Sequence, residues 1–324
     1  MLLYKYVILR NGVVILAKET FIAGGNPQGG EKVVISAETG GREILKTEVL
    51  LTAGSYCSEA FISVLKHYVN IKTNDVPLVF EHDFLTEEKI PVMLCYPRDA
   101  EKLPLVFFFH GFSADKFNNL AEGIRIAQQG YFTVVPDARY HGERKIDDFY
   151  GYFSPEKFVG SFFNTVKETS EDISGMIDYF SHDRRVDITR TGLTGISMGG
   201  FITFMAGTLD CRIKALAPIV GSPDWELLLN SERASIVSKE TKEAIMKYSP
   251  ALNYERFKPS ALFVQNGSLD TAVPAEGSRR LDAKLRKLYS DMPDKYEYLE
   301  DPDSGHAVPF EMLENVIKWF EKHL

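Results

Sequence analysis

One stretch limits what this chain can fold into more than any other. In Arg190-Thr-Gly-Leu-Thr-Gly-Ile-Ser-Met-Gly-Gly-Phe201, Ser197 stands between Gly195 and Gly199. The apolar run into Leu193 reads as a strand and a helix is expected from about Met198, so the backbone must reverse sharply between them. A serine at the apex of that turn needs neighbours without Cβ atoms. The turn lifts the hydroxyl clear of the backbone. A free serine hydroxyl is a weak nucleophile, so chemistry there also requires a histidine base, an acid that orients it, and donors for an oxyanion.

The rest of the chain is patterned to present such a turn. Val79–Phe84 and Ile90–Tyr96 read as an antiparallel opening pair, and Leu105–Phe109 is a continuous apolar run of the kind buried on both faces of a parallel sheet. A helix over about Leu120–Gln129 should stop at Gly130 and lead to a strand, Tyr131–Pro136. Ile173, Met176, Ile177 and Phe180 mark one helical face before the serine. Ile213–Val220, Ala261–Gln265 and Tyr296–Glu300 supply later strands, and Leu313, Val316, Ile317, Phe320 and Leu324 mark a final helix. Strand–helix alternation predicts a mostly parallel sheet covered on both faces, with its ligand at the carboxyl ends of the strands.

Two segments lie outside this alternation. Residues 1–70 read as a β-rich extension with hairpins Tyr4–Leu9/Val13–Ala17 and Val33–Ser36/Glu43–Thr52, followed by a helical pattern over Ser58–Tyr68. Residues 222–258, with Trp225 and an expected helix over Lys239–Tyr248, interrupt the catalytic span 71–324 where a small cap would sit. The formal charge of −8 has no basic cluster, which argues against nucleic acid and anionic membrane surfaces as partners. Cys57, Cys95 and Cys211 are isolated thiols, so a reducing, cytoplasmic setting without a disulfide framework is expected. The apolar start, Met1–Ala17, is interrupted by Lys5, Arg10 and Asn11, and no run approaches the roughly 20 apolar residues of a membrane helix.

Two residues complete the constellation. His306, in Asp303-Ser-Gly-His-Ala-Val-Pro309, follows the last strand and is the expected base. Asp270, in Gly267-Ser-Leu-Asp-Thr-Ala-Val-Pro274, follows the preceding strand and is the expected acid; Asp301, Asp303 and Asp137 are the other carboxylates within consideration. The order Ser197, Asp270, His306 belongs to the nucleophile-elbow arrangement.

On Gly195-Ile-Ser-Met-Gly199, His110-Gly111-Phe112, Asp137-Ala-Arg-Tyr-His-Gly142, Gly267-Ser-Leu-Asp270 and Gly305-His306, the span from Ile71 to Leu324 resembles the α/β-hydrolase superfamily. The nearest branches are the serine esterases and the dienelactone-hydrolase-like or prolyl-oligopeptidase-like proteins. True dienelactone hydrolases carry a cysteine nucleophile where this chain has Ser197. The resemblance implies an oxyanion hole from the backbone N–H groups of Phe112 and Met198. His110 is expected to order that loop, with a place in the substrate pocket as its other reading, and Trp225 is a further pocket candidate. Asp137, Arg139 and His141 are expected to fix the loop after the fourth strand. Neither a metal nor another cofactor is expected.

The expectation is therefore a serine hydrolase that cleaves a small-molecule carboxylic ester through an acyl-enzyme. A peptidase of the prolyl-oligopeptidase type and a non-catalytic hydrolase-fold binding protein are the alternatives, and the chain is read as either a monomer or a homo-oligomer.

Overall fold

A computed structural model describes residues 4–8, 14–20, 31–39, 42–51, 78–230 and 237–324. The first strands are β1 (Tyr4–Ile8), β2 (Val14–Thr20), β3 (Glu31–Thr39) and β4 (Arg42–Leu51). They pair antiparallel in sequence order as one four-stranded sheet, so both expected hairpins form and are joined edge to edge. The helical pattern over Ser58–Tyr68 lies outside the described residues.

A second sheet begins with β5 (Leu78–Leu85) and β6 (Ile90–Pro97), then β7 (Leu103–Phe109). Helix α1 (Leu120–Ala127) leads to β8 (Phe132–Pro136), and α2 (Phe149–Tyr152) and α3 (Phe158–Phe180) lead to β9 (Val186–Ile196). Next come α4 (Met198–Leu209), β10 (Ile213–Ile219), α5 (Trp225–Leu229) and α6 (Lys239–Tyr248). The chain ends with β11 (Ala261–Gly267), α7 (Glu276–Leu288), β12 (Tyr296–Asp301) and α8 (Phe310–His323). The expected elements from Val79 onward all form, with ends displaced by a residue or two.

Eight strands order as β12-β11-β10-β9-β7-β8-β6-β5. The pairs β5–β6 and β6–β8 are antiparallel, and the rest are parallel. Alternation along β7 shows why its run is unbroken. Leu105, Phe107 and Phe109 pack into the core under α3 and α4, while Val106 and Phe108 pack into the core under α1 and α8. Both faces are covered, so no position in the strand is free to be polar. The chain leaves β7 toward β8 on one side and leaves β9 toward β10 on the other. The carboxyl ends of β7 and β9 therefore border the crevice where sheets of this kind bind ligands.

Candidate active site

Ser197 sits between β9 and α4 with φ 56° and ψ −111°, a left-handed conformation that a residue with a side chain adopts only when its surroundings impose it. Its N–H donates to Ile219 O at 2.9 Å, tying the turn to β10. The flanking glycines allow the close approach. A Cβ on Gly199 would lie 2.1 Å from Phe109 O, and one on Gly195 would lie 2.7 Å from the Gly199 carbonyl carbon. The turn is thus wedged against the end of β7.

His306 Nε2 lies 2.9 Å from Ser197 Oγ, and its Nδ1 lies 2.7 Å from Asp270 Oδ2. A carboxylate accepts, so Nδ1 carries the proton and Nε2 faces the serine as an acceptor. The Asp270 side chain is wholly buried, and its Oδ1 accepts from the N–H groups of Ala272 and Val273 at 2.9 and 2.8 Å. Those bonds leave Oδ2 aimed at the imidazole. The two loops meet because Gly267 has no side chain: a Cβ there would lie 2.4 Å from Ser304 O. Ser268 N–H and Leu269 N–H donate across this contact to Asp301 O and Ser304 O, at 2.8 and 2.9 Å. Asp303 is exposed, Asp301 accepts from Ser304 Oγ, and Asp137 is buried elsewhere, so of the four aspartates considered only Asp270 meets the imidazole.

Gly111 lies beside the serine, a Cβ there falling 3.7 Å from Ser197 Cβ. Among the described residues no acceptor takes the N–H of Phe112 or of Met198. The Phe112 ring is set among His141, Phe149, Phe153, Phe158 and Phe162, with centroids 4.9 to 6.2 Å away.

The sequence reading of the substrate pocket needs correction. His110 and Trp225 are both fully buried, so neither presents surface to a substrate. Trp225 packs on Phe162, Phe163 and Phe201, joining α5 to α3 and α4. His110 donates from Nδ1 to Gly111 O at 2.8 Å and accepts at Nε2 from Ala138 N–H at 3.0 Å, which is the loop-ordering role expected of it. Burial pushes its pKa down, so the ring stays neutral. With both nitrogens occupied and the Asp137 carboxylate taken by Lys116, His110, Asp137 and His141 do not converge as a ligand set. Arg139 pairs with Asp172 on α3, and His141 bonds its own loop at Arg139 O. Lys116 is buried as well, and nothing about a lone lysine in a loop signals this in the sequence.

A serine on a strained strand-to-helix turn, a histidine on the loop after the last strand and an eight-stranded sheet of this order define the class: an α/β-hydrolase-fold serine hydrolase. The match to a family model is specific. Residues 157–324, just over half of the chain, match the prolyl oligopeptidase family, and the chain belongs to that family. It is 30% identical over 234 residues to "Putative esterase YitV" of Bacillus subtilis (strain 168), an alignment covering 68% of this chain and 90% of that protein. Among solved structures it resembles TT1662 from Thermus thermophilus, with a TM-score of 0.64 and 20% identity over 76% of this chain and 97% of the other. It also resembles the acylaminoacyl peptidase of Pyrococcus horikoshii, with a TM-score of 0.58 and 19% identity over 98% of this chain and 55% of the other. Among the described residues, no helix is long and apolar enough to cross a membrane.

Proposed function

We propose that the chain hydrolyses small carboxylic esters through an acyl-enzyme, with Ser197 as nucleophile, His306 as base and then acid, and Asp270 as the group that holds the imidazole. The observation that carries this reading is the continuous bond path from Asp270 Oδ2 through the imidazole to Ser197 Oγ, at 2.7 and 2.9 Å. Ser197 Oγ attacks the ester carbonyl carbon while His306 Nε2 takes the hydroxyl proton. The carbonyl oxygen gains the displaced electron pair and is met by the N–H groups of Phe112 and Met198. As the tetrahedral adduct collapses, the C–O bond to the alcohol breaks and His306 gives its proton to that oxygen. Water then repeats the sequence and releases the acid.

His306 must reach the leaving group, so the alcohol lies on the side of the imidazole. Residues 71–324 act in this reading as the catalytic domain, residues 222–258 as a small cap and residues 1–70 as an extension. Cys95 and Cys211 are free thiols, in keeping with a cytoplasmic setting.

A second reading is favoured by the family itself and by the alignment of 98% of the chain with an acylaminoacyl peptidase: cleavage of an amide by the same residues. Labelling with a fluorophosphonate, followed by rates on matched p-nitrophenyl esters and p-nitroanilides of one acyl group, tests both. Modification at Ser197 with faster ester turnover is expected. A higher kcat/KM on the anilide would make the chain a peptidase, and intact protein that stays unlabelled would make it a binding protein.

A further inference from the structure

The loop that carries the Phe112 N–H is anchored at both ends to one other loop. At its start, His110 Nε2 accepts from Ala138 N–H at 3.0 Å. At its end, Lys116 is 1% exposed, and its N–H donates to Asp137 Oδ1 at 2.9 Å while Nζ reaches Asp137 Oδ2 at 2.7 Å. Nζ also donates to Glu143 Oε1 at 2.6 Å, and Glu143 N–H returns to Asp137 Oδ2 at 2.9 Å. Asp137 has no exposed surface. Between the anchors Ser113 takes a left-handed φ of 64° and Ala114 N–H closes a turn onto Gly111 O at 3.2 Å. Among the described residues, none accepts from the N–H of Phe112 within that span.

A buried lysine–aspartate pair contributes little net stability compared with an apolar pair of the same volume, because both ions lose their hydration. What such a pair supplies is direction. Its two charges have one low-energy arrangement, and here that arrangement sets where the far end of the Phe112 loop stands relative to β8. Donors for a developing oxyanion act only when already aimed at it, so the rigidity of this loop bears directly on rate.

We propose that Lys116 is a positioning residue for the oxyanion hole: its buried bridge from Asp137 to Glu143 holds the Phe112 N–H on the carbonyl oxygen of a substrate attached to Ser197. The proposal rests on the function given above. It acts through the backbone, so its signature lies in the transition state and not in substrate affinity.

The test uses the full chain with Lys116→Met and Glu143→Gln. Glu143 is partly exposed at its side chain, so its replacement threatens folding less. For each variant, kcat and KM are measured on p-nitrophenyl acetate together with the affinity for a trifluoromethyl ketone, which adds to the serine and carries an oxyanion. Lys116→Met is expected to lower kcat by about 10²-fold, to weaken the ketone by a similar factor and to leave KM within about twofold. Glu143→Gln should show the same pattern at roughly 3- to 10-fold. A purely structural role would lower the melting temperature while the folded fraction kept its kcat and its ketone affinity, and that result overturns the proposal. If Lys116→Met does not fold, an unchanged kcat and ketone affinity in Glu143→Gln overturns it equally. Fluorophosphonate labelling of the unmodified protein separates the two failures: without labelling at Ser197 the functional reading and this proposal fall together, and with labelling only the role of Lys116 is at stake.

Discussion

Asp270 and His306 stand 36 residues apart and meet at 2.7 Å, whereas Asp303, three residues before the histidine, is exposed and lies outside the bond path. The separation in sequence is what makes the contact direct. β11 and β12 are parallel neighbours, so the loops that follow them leave the same edge of the sheet side by side. An aspartate on the histidine's own loop would have to turn back on a few residues of backbone to reach the ring.

Replacing Asp270 by Asn should therefore lower kcat by about 10⁴-fold, because an amide N–H facing Nδ1 favours the wrong tautomer. The bonds from Ala272 and Val273 can persist on Oδ1, and the melting temperature should change little. Asp303→Asn should cost less than about threefold. Steady-state rates on one ester decide the matter, and a larger loss in the Asp303 variant would remove Asp270 from the role proposed for it.

Ser197→Ala removes the atom that His306 addresses and nothing that holds the turn, since the backbone bond to Ile219 O remains. The variant should fold and lose about 10⁶-fold in kcat. Activity above a few per cent of the parent in clean protein would place the nucleophile elsewhere.

Gly199→Ala should damage both folding and rate. The added methyl would stand 2.1 Å from Phe109 O and 2.7 Å from its carbonyl carbon, and both are backbone atoms at the root of the Phe112 loop. Overpacking of this kind costs about 3 kcal/mol, and the displaced loop should lower kcat by at least about 10²-fold. Thermal unfolding alongside turnover measures the two effects, and wild-type values for both would contradict the wedged geometry.

His141 ties stability to pH. Burial holds its pKa down at about 4, against an ordinary 6.5, with the bond to Arg139 O opposing the shift. A depressed folded pKa means that the unfolded chain takes up the proton first as the pH falls. Its contribution is thus fully present above 6.5 and is lost progressively down to about 4, amounting to about 3 kcal/mol. Burial depresses His110 in the same direction. Urea unfolding from about pH 7 to about pH 4 should show stability falling with acid, and His141→Gln should flatten the slope. An identical slope in parent and variant would contradict this assignment.

The amino-acid sequence by itself determined the strand–helix alternation, the buried character of β7, the elbow at Ser197 and the order of the three polar residues. These are legible because they depend on local periodicity and on small residues at sharp turns. The tertiary structure decided between Asp270, the acid expected from the sequence, and the other aspartates, because that choice depends on β11 and β12 lying parallel as neighbours, so that Asp270 and His306, 36 residues apart, leave the sheet side by side. It also decided that His110 and Trp225 turn inward and that Lys116 is a buried cation beneath the Phe112 loop. A histidine, a tryptophan or a lysine at a loop carries no local pattern that states its burial. Burial is set by what the rest of the fold brings against it, and for Lys116 that is a carboxylate 21 residues further along the chain.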